Sequence, residues 1–132
     1  MRGLAIIAMS GLLAGCSAAV AQQEEAQQRA GPPPMPQPVT LAQRPDATGG
    51  EALYVQHCAM CHAANGMGTG LLARTREVAL LEARDNLAAP YVVLAARQGI
   101  GNMPAIPRGE VSDEELQAIA DYLAAGPHEV AR

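Results

Sequence analysis

Two observations predict an all-α domain, and a third says what its helices must enclose. Apolar residues recur at helical spacing in separate short segments between residues 48 and 126. No run of alternating apolar and polar residues marks a strand. Hydrophobic residues make up 49% of the 132-residue chain, yet aromatics are only 2%: three Tyr, no Phe and no Trp. About 80 residues of short helix without large aromatic rings give a marginal core by area arithmetic. The shortage points to a bound apolar group as part of the interior.

The elements follow in order. Thr48-Gly49-Gly50-Glu51 has the form of a capping box, and Ala52, Leu53, Tyr54 and Val55 continue a short amphipathic helix toward Cys58. Glu77 to Arg84 is expected to add another short helix. Pro90 suits a first helical position and Gly99 the residue past a helix end, with Tyr91, Val92, Leu94, Ala95 and Ala96 between them. Ser112-Asp113-Glu114-Glu115 is a second capping box whose acidic residues complement the helix dipole. Leu116, Ile119, Ala120 and Leu123 extend that helix, and Gly126-Pro127 ends it. The domain is thus expected over 48–126, with a tail over 127–132.

The N-terminal region has a different composition. Met1-Arg2 followed by the apolar run Leu4 to Ala14 reads as an export signal, since eleven residues are too few to span a bilayer. Two cleavage patterns compete within residues 1–21. Leu13-Ala14-Gly15-Cys16 resembles a lipoprotein box, with Cys16 lipidated and Ser17 after it; Ala19-Val20-Ala21 resembles an ordinary site that would release a chain beginning at Gln22. The first pattern is the more specific. Either implies work outside the cytoplasm, in the periplasm, with a membrane attachment in the lipidated case. Residues 22–47 are rich in Gln and Pro and read as an extended tether spanning roughly 30 Å from Ser17. The formal net charge of −4, with nine Arg and no Lys, argues against a basic nucleic-acid surface.

The chemistry lies in Cys58-Ala59-Met60-Cys61-His62. Cys-x-x-Cys-His is the attachment motif of c-type haem. Two thiols on one turn can bond the vinyl groups on one porphyrin edge, and the following imidazole can ligate the iron. A redox disulfide or half of a zinc site are the competing readings of a Cys pair. No further Cys follows Cys61, and no strand–helix context surrounds the motif. One covalent haem c is expected, on Cys58 and Cys61, with His62 as proximal ligand. Met103, in Gly101-Asn102-Met103-Pro104, is the candidate for the second axial position. Met60 and Met67 are expected to pack, and His57 to face solvent. Among Arg74, Arg76, Arg97 and Arg108 as partners of the haem propionates, Arg74 is preferred because Leu71 and Leu72 should touch the porphyrin edge.

At these residues the chain resembles a class I c-type cytochrome over 48–125. The resemblance implies a cytochrome c fold, short helices wrapped around one covalently bound haem, with the first and last helices crossing at Gly50 and Tyr54 against Tyr122 and Leu123. It implies a carbonyl that accepts from the proximal imidazole, within Gly66 to Leu72, where no Pro marks it. The stretch from Arg97 to Pro107 and Val111 to Leu116 is similar to the cytochrome subunit of p-cresol-methylhydroxylase-type flavocytochromes and to cytochromes that serve quinoprotein dehydrogenases. The implied function is single-electron transfer in the bacterial cell envelope, with no catalytic residues of its own. Its implied partners are a donor dehydrogenase and an acceptor oxidase or cytochrome. His/Met ligation raises the potential relative to a bis-His haem, and two filled axial positions suit electron transfer. The competing function is a haem-based sensor or peroxidase-like protein, which needs an open sixth site.

Overall fold

The computed structural model describes residues 37–129. The export signal, Cys16, the tether up to residue 36 and the last three residues lie outside the described residues. The element order is α1 (Gly49–His57), α2 (Ala59–His62), α3 (Met67–Leu72), a 3-10 turn (Leu81–Ala83), α4 (Ala89–Gln98) and α5 (Asp113–Ala124). Among the described residues there is no strand, only an isolated antiparallel bridge between Ile100 and Met103. The fold is all-α.

Local chemistry sets most of the boundaries. Ser112 caps α5 by accepting from the Glu115 amide at 3.2 Å, and the Glu115 carboxylate accepts in return from the Ser112 amide at 2.8 Å. That amide, and then the Ser112 hydroxyl, holds the Glu115 carboxyl below its ordinary range. Pro90 stands in the first turn of α4, and Gly99 ends it at φ +75°, a conformation that Gly reaches without a Cβ penalty.

Two expected elements are corrected. Thr48 precedes α1, but its side chain makes no capping hydrogen bond. Glu51, the other half of the expected box, pairs with Arg44 at 3.4 Å instead. The helix expected over Glu77 to Arg84 shrinks to the turn Leu81–Ala83, bracketed by extended backbone at Leu80 and Arg84. Glu82 explains the shortening: it is 0% exposed and its side chain turns inward.

Around Glu82 the fold builds a buried polar knot. Arg44 donates to both of its carboxylate oxygens, and the Tyr122 hydroxyl donates at 2.7 Å. The bond to Glu82 raises the Arg44 pKa further above its ordinary value, and burial followed by Glu82 raises that of Tyr122. The His128 ring stacks on Tyr122 with centroids 4.1 Å apart, and its amide donates to the Glu82 carbonyl at 2.7 Å. A buried carboxylate without partners costs several kcal/mol, so each of these bonds is needed. The knot also moves the domain edges. Residues 40–47, expected in the tether, fold into successive turns, and Val39 packs on the core. Residues 127 and 128, expected in the tail, return to the turn at Glu82.

The crossing of α1 and α5 follows the expected residues. A Cβ on Gly50 would lie 2.2 Å from the Ala118 carbonyl oxygen and 2.7 Å from Tyr122 Cβ, so only Gly allows this approach. Tyr54 and Tyr122 meet beside it with ring centroids 5.9 Å apart. The core is otherwise small: Val55, Ala59, Ala63, Leu87, Ala96, Val111, Leu116, Ile119 and Leu123. Six of these nine, Leu87, Ala96, Val111, Leu116, Ile119 and Leu123, also line a cavity.

Candidate functional site

That cavity has a volume of about 470 Å³ and is walled by Leu71, Leu72, Leu81, Leu87, Val92, Val111, Leu116, Ile119 and Leu123, among others. Its size is that of a cofactor pocket. Cys58, His62 and Met103 all line it, brought there from two distant parts of the chain. Cys61 lies one turn beyond Cys58 and is exposed, outside the lining. Both thiols are free. The amides of Cys61 and His62 both donate to the Cys58 carbonyl, at 3.1 and 2.9 Å, so the motif is one tight turn. Burial, then the neighbouring Cys61, pushes the Cys58 thiol up to about 11.

His62 ends α2. Burial lowers its pKa below the ordinary imidazole value, which favours the neutral ring, the form that ligates a metal. Its Nδ1 is buried and makes no hydrogen bond. The carbonyl partner expected within Gly66 to Leu72 is therefore not formed. The chain approaches the ligand closely there. A Cβ on Gly66 would lie 2.2 Å from the Cys61 carbonyl oxygen, and one on Gly68 would lie 3.1 Å from His62 Cε1.

Met103 sits in a hairpin turn. Its amide and carbonyl both pair with Ile100 at 3.0 Å, and Gly101 between them has φ +59°. Arg97 braces the segment that follows. It donates to the carbonyls of Ile106 and Val111, each at 2.9 Å, and to Asp113 at 2.8 Å. Ile106 also returns to α4, its amide donating to the Ala96 carbonyl at 2.8 Å. Arg97 is thus a loop brace and not a candidate for a propionate. Arg108 is likewise engaged, donating to Asp113 at 2.7 Å.

The remaining cationic side chains correct the preference for Arg74. Arg74 is exposed and absent from the cavity wall, whereas Arg76 and Arg84 are on it, with Asn86. Arg84 donates to Asn86 at 3.0 Å, which orders this polar edge. Three other expectations are also corrected. Met60 and Met67 do not pack: they are 73% and 70% exposed, while Ala59 and Thr69 are the residues their short helices bury. His57 does not face solvent freely: it is half-buried, and its Nε2 is fully covered without a hydrogen-bond partner.

These residues fit a haem. The apolar wall suits the porphyrin faces, Arg76, Arg84 and Asn86 suit the propionates, and His62 Nδ1 is already covered. Cys58 and Cys61 would carry the thioethers, and His62 and Met103 would serve as axial ligands. Leu71 and Leu72 line the cavity, where they are expected to touch the porphyrin edge. Sequence reasoning missed Arg84 and Asn86, which stand in no motif, and the brace at Arg97, whose partners lie 9 to 16 residues away.

Residues 45–123 match the family model described as cytochrome C oxidase, cbb3-type, subunit III, over more than half of the chain. No curated protein and no solved structure matches. A helical fold closed at Gly50, a Cys-x-x-Cys-His turn opening on an apolar cavity and a methionine hairpin lining the same cavity agree with that match: the chain belongs to this family, as a class I c-type cytochrome that carries covalent haem c and transfers electrons.

Proposed function

We propose that the protein carries one haem and shuttles single electrons in the bacterial cell envelope, held at a membrane through lipidated Cys16. The chain contains one Cys-x-x-Cys-His run, which supports a single haem. When bound, haem c supplies a reversible one-electron ferric/ferrous couple. The protein's part is to hold it, orient it and keep water from the iron. The observation that carries the reading is that Met103, in a hairpin fastened at both ends, lines the same cavity as His62. A preformed thioether site keeps the sixth position filled, favours the ferrous state and keeps rearrangement between redox states small. The donor is a periplasmic flavoprotein or quinoprotein dehydrogenase, a reading that rests on the resemblance drawn from the sequence at Arg97 to Pro107 and Val111 to Leu116 alone. The acceptor is a terminal oxidase or a second cytochrome, supported by the description of the matched family.

Two measurements test this. The intact mass of the mature native protein reports how many haems are attached, and separates lipidated Cys16 from a chain beginning at Gln22. The ferric protein is expected to show the weak far-red band of methionine-ligated haem. A high-spin spectrum that shifts on adding cyanide at once would favour an open sixth site and a sensor or peroxidase-like role. Failure of every dehydrogenase encoded nearby to reduce the haem would remove the donor assignment alone.

A further inference from the structure

We propose that Tyr54 and Thr69 are positioning residues for the proximal ligand: two hydroxyls that set the rotation of the His62 ring by holding its peptide carbonyl. The proposal rests on the reading of His62 as an axial ligand. α2 ends at His62, and Ala63 follows in extended backbone at φ −71° and ψ 172°. The His62 carbonyl therefore has no helical amide to accept from. It accepts from Tyr54 Oη at 3.0 Å and Thr69 Oγ1 at 2.9 Å instead. Both donors are buried, at 0% and 8% exposure, so water does not compete for the bond.

The ring itself lacks the usual handle. A metal-ligating imidazole is ordinarily oriented by an acceptor on its other nitrogen. His62 Nδ1 is buried and has no such acceptor among the described residues. Orientation must then come from the backbone that bears the ring and from what packs against it. Gly68 supplies a wall, since a Cβ there would lie 3.2 Å from Nδ1. Thr69, the next residue, supplies the anchor from the same helix. Tyr54 supplies the second anchor from α1, four residues before Cys58. The ligand is clamped from both flanking helices through one oxygen.

Ring rotation about the axial bond governs how unpaired spin spreads over a ferric haem, so the clamp has a spectroscopic signature. The test compares ferric holoprotein as wild type, Thr69→Val, Thr69→Ser, Tyr54→Phe and the double variant Tyr54→Phe/Thr69→Val. The readout is the set of hyperfine-shifted haem-methyl resonances in proton NMR, with the reduction potential measured alongside. Thr69→Val is expected to shift the resonances and the potential, and the double variant to shift them further, with the far-red methionine band retained. Thr69→Ser keeps the hydroxyl and is expected to restore the wild-type pattern. Val and Ser variants that shift alike would overturn the proposal, as would a double variant that loses stability while its resonances stay in place. If the double variant does not mature, the Val and Ser pair carries the same comparison. The wild-type visible spectrum is recorded first: absence of histidine-ligated haem there would overturn the ligand reading, and the clamp with it.

Discussion

The cavity's two ligand-bearing segments are built by different means. On the His62 side everything is local: Cys58, the ligand, Gly66, Gly68 and Thr69 lie within twelve residues, and the chain folds tightly enough that two positions tolerate only Gly. On the Met103 side the ligand stands on a two-residue hairpin, and the following segment is fastened by a guanidinium from another helix. The His62 side is thus rigid through close packing, and the Met103 side through a few charged and backbone hydrogen bonds. Packing fails by steric overlap, whereas a bond network fails by losing one donor. The two sides should break differently.

Arg97→Ala is expected to have the largest effect. It removes three hydrogen bonds at once and leaves the Ile106 amide bond to the Ala96 carbonyl to join α4 to the segment after Met103. Hydrogen bonds from a charged group are each worth about 1.5–3 kcal/mol, and some are replaced by water, so a loss of about 3 kcal/mol is expected. Chemical denaturation of the holoprotein measures it, and the far-red band should weaken while the haem stays attached. Gly66→Ala tests the other side. Its Cβ would meet the Cys61 carbonyl oxygen, and overpacking of this kind costs about 1–3 kcal/mol. Here the far-red band should survive in the folded fraction. A far-red band lost in Gly66→Ala but kept in Arg97→Ala would reverse the assignment of the two sides.

Acid sharpens the comparison with a smaller effect. Arg108 first, then Arg97, holds the Asp113 carboxyl below its ordinary value. A carboxyl depressed in the folded state stabilises above its unfolded pKa, and that contribution disappears as pH falls through the lower folded value. Titration of the far-red band should therefore show wild type and Asp113→Asn differing at neutral pH and converging in acid, below the unfolded carboxyl range. The smallest effects belong to Met60→Leu and Met67→Leu. Both side chains are exposed, so stability should change by less than about 0.5 kcal/mol and the far-red band should stay unchanged in absorption spectra.

What was legible in the chain follows the same division. The Cys-x-x-Cys-His turn, the capping box at Ser112, Pro90, Gly99 and the Gly50 crossing each depend on residues a few positions apart or on a small side chain at a crowded point. Such constraints leave a local trace. The Arg44–Glu82–Tyr122 knot leaves none, because its members lie 38 and 40 residues apart and each alone looks like an ordinary polar residue. Glu51 misled for a related reason: its spacing from Thr48 satisfied a local rule, and a non-local cation took it. Arg97 misled likewise, since a cation near a haem loop suggests a carboxylate ligand until its backbone partners are seen. The His62 carbonyl clamp was hidden because it uses the backbone of the very residue whose side chain drew attention.

Arg44 stands five residues before α1, where the chain enters the domain, and it is bolted to a carboxylate beneath the surface. A pull on the chain ahead of residue 44 meets that ion pair, and the pair of Arg44 with Glu51, before it reaches the Cys58 turn. The chain ahead of α1 is therefore tied at two places in the fold, the turn at Glu82 and the first turn of α1.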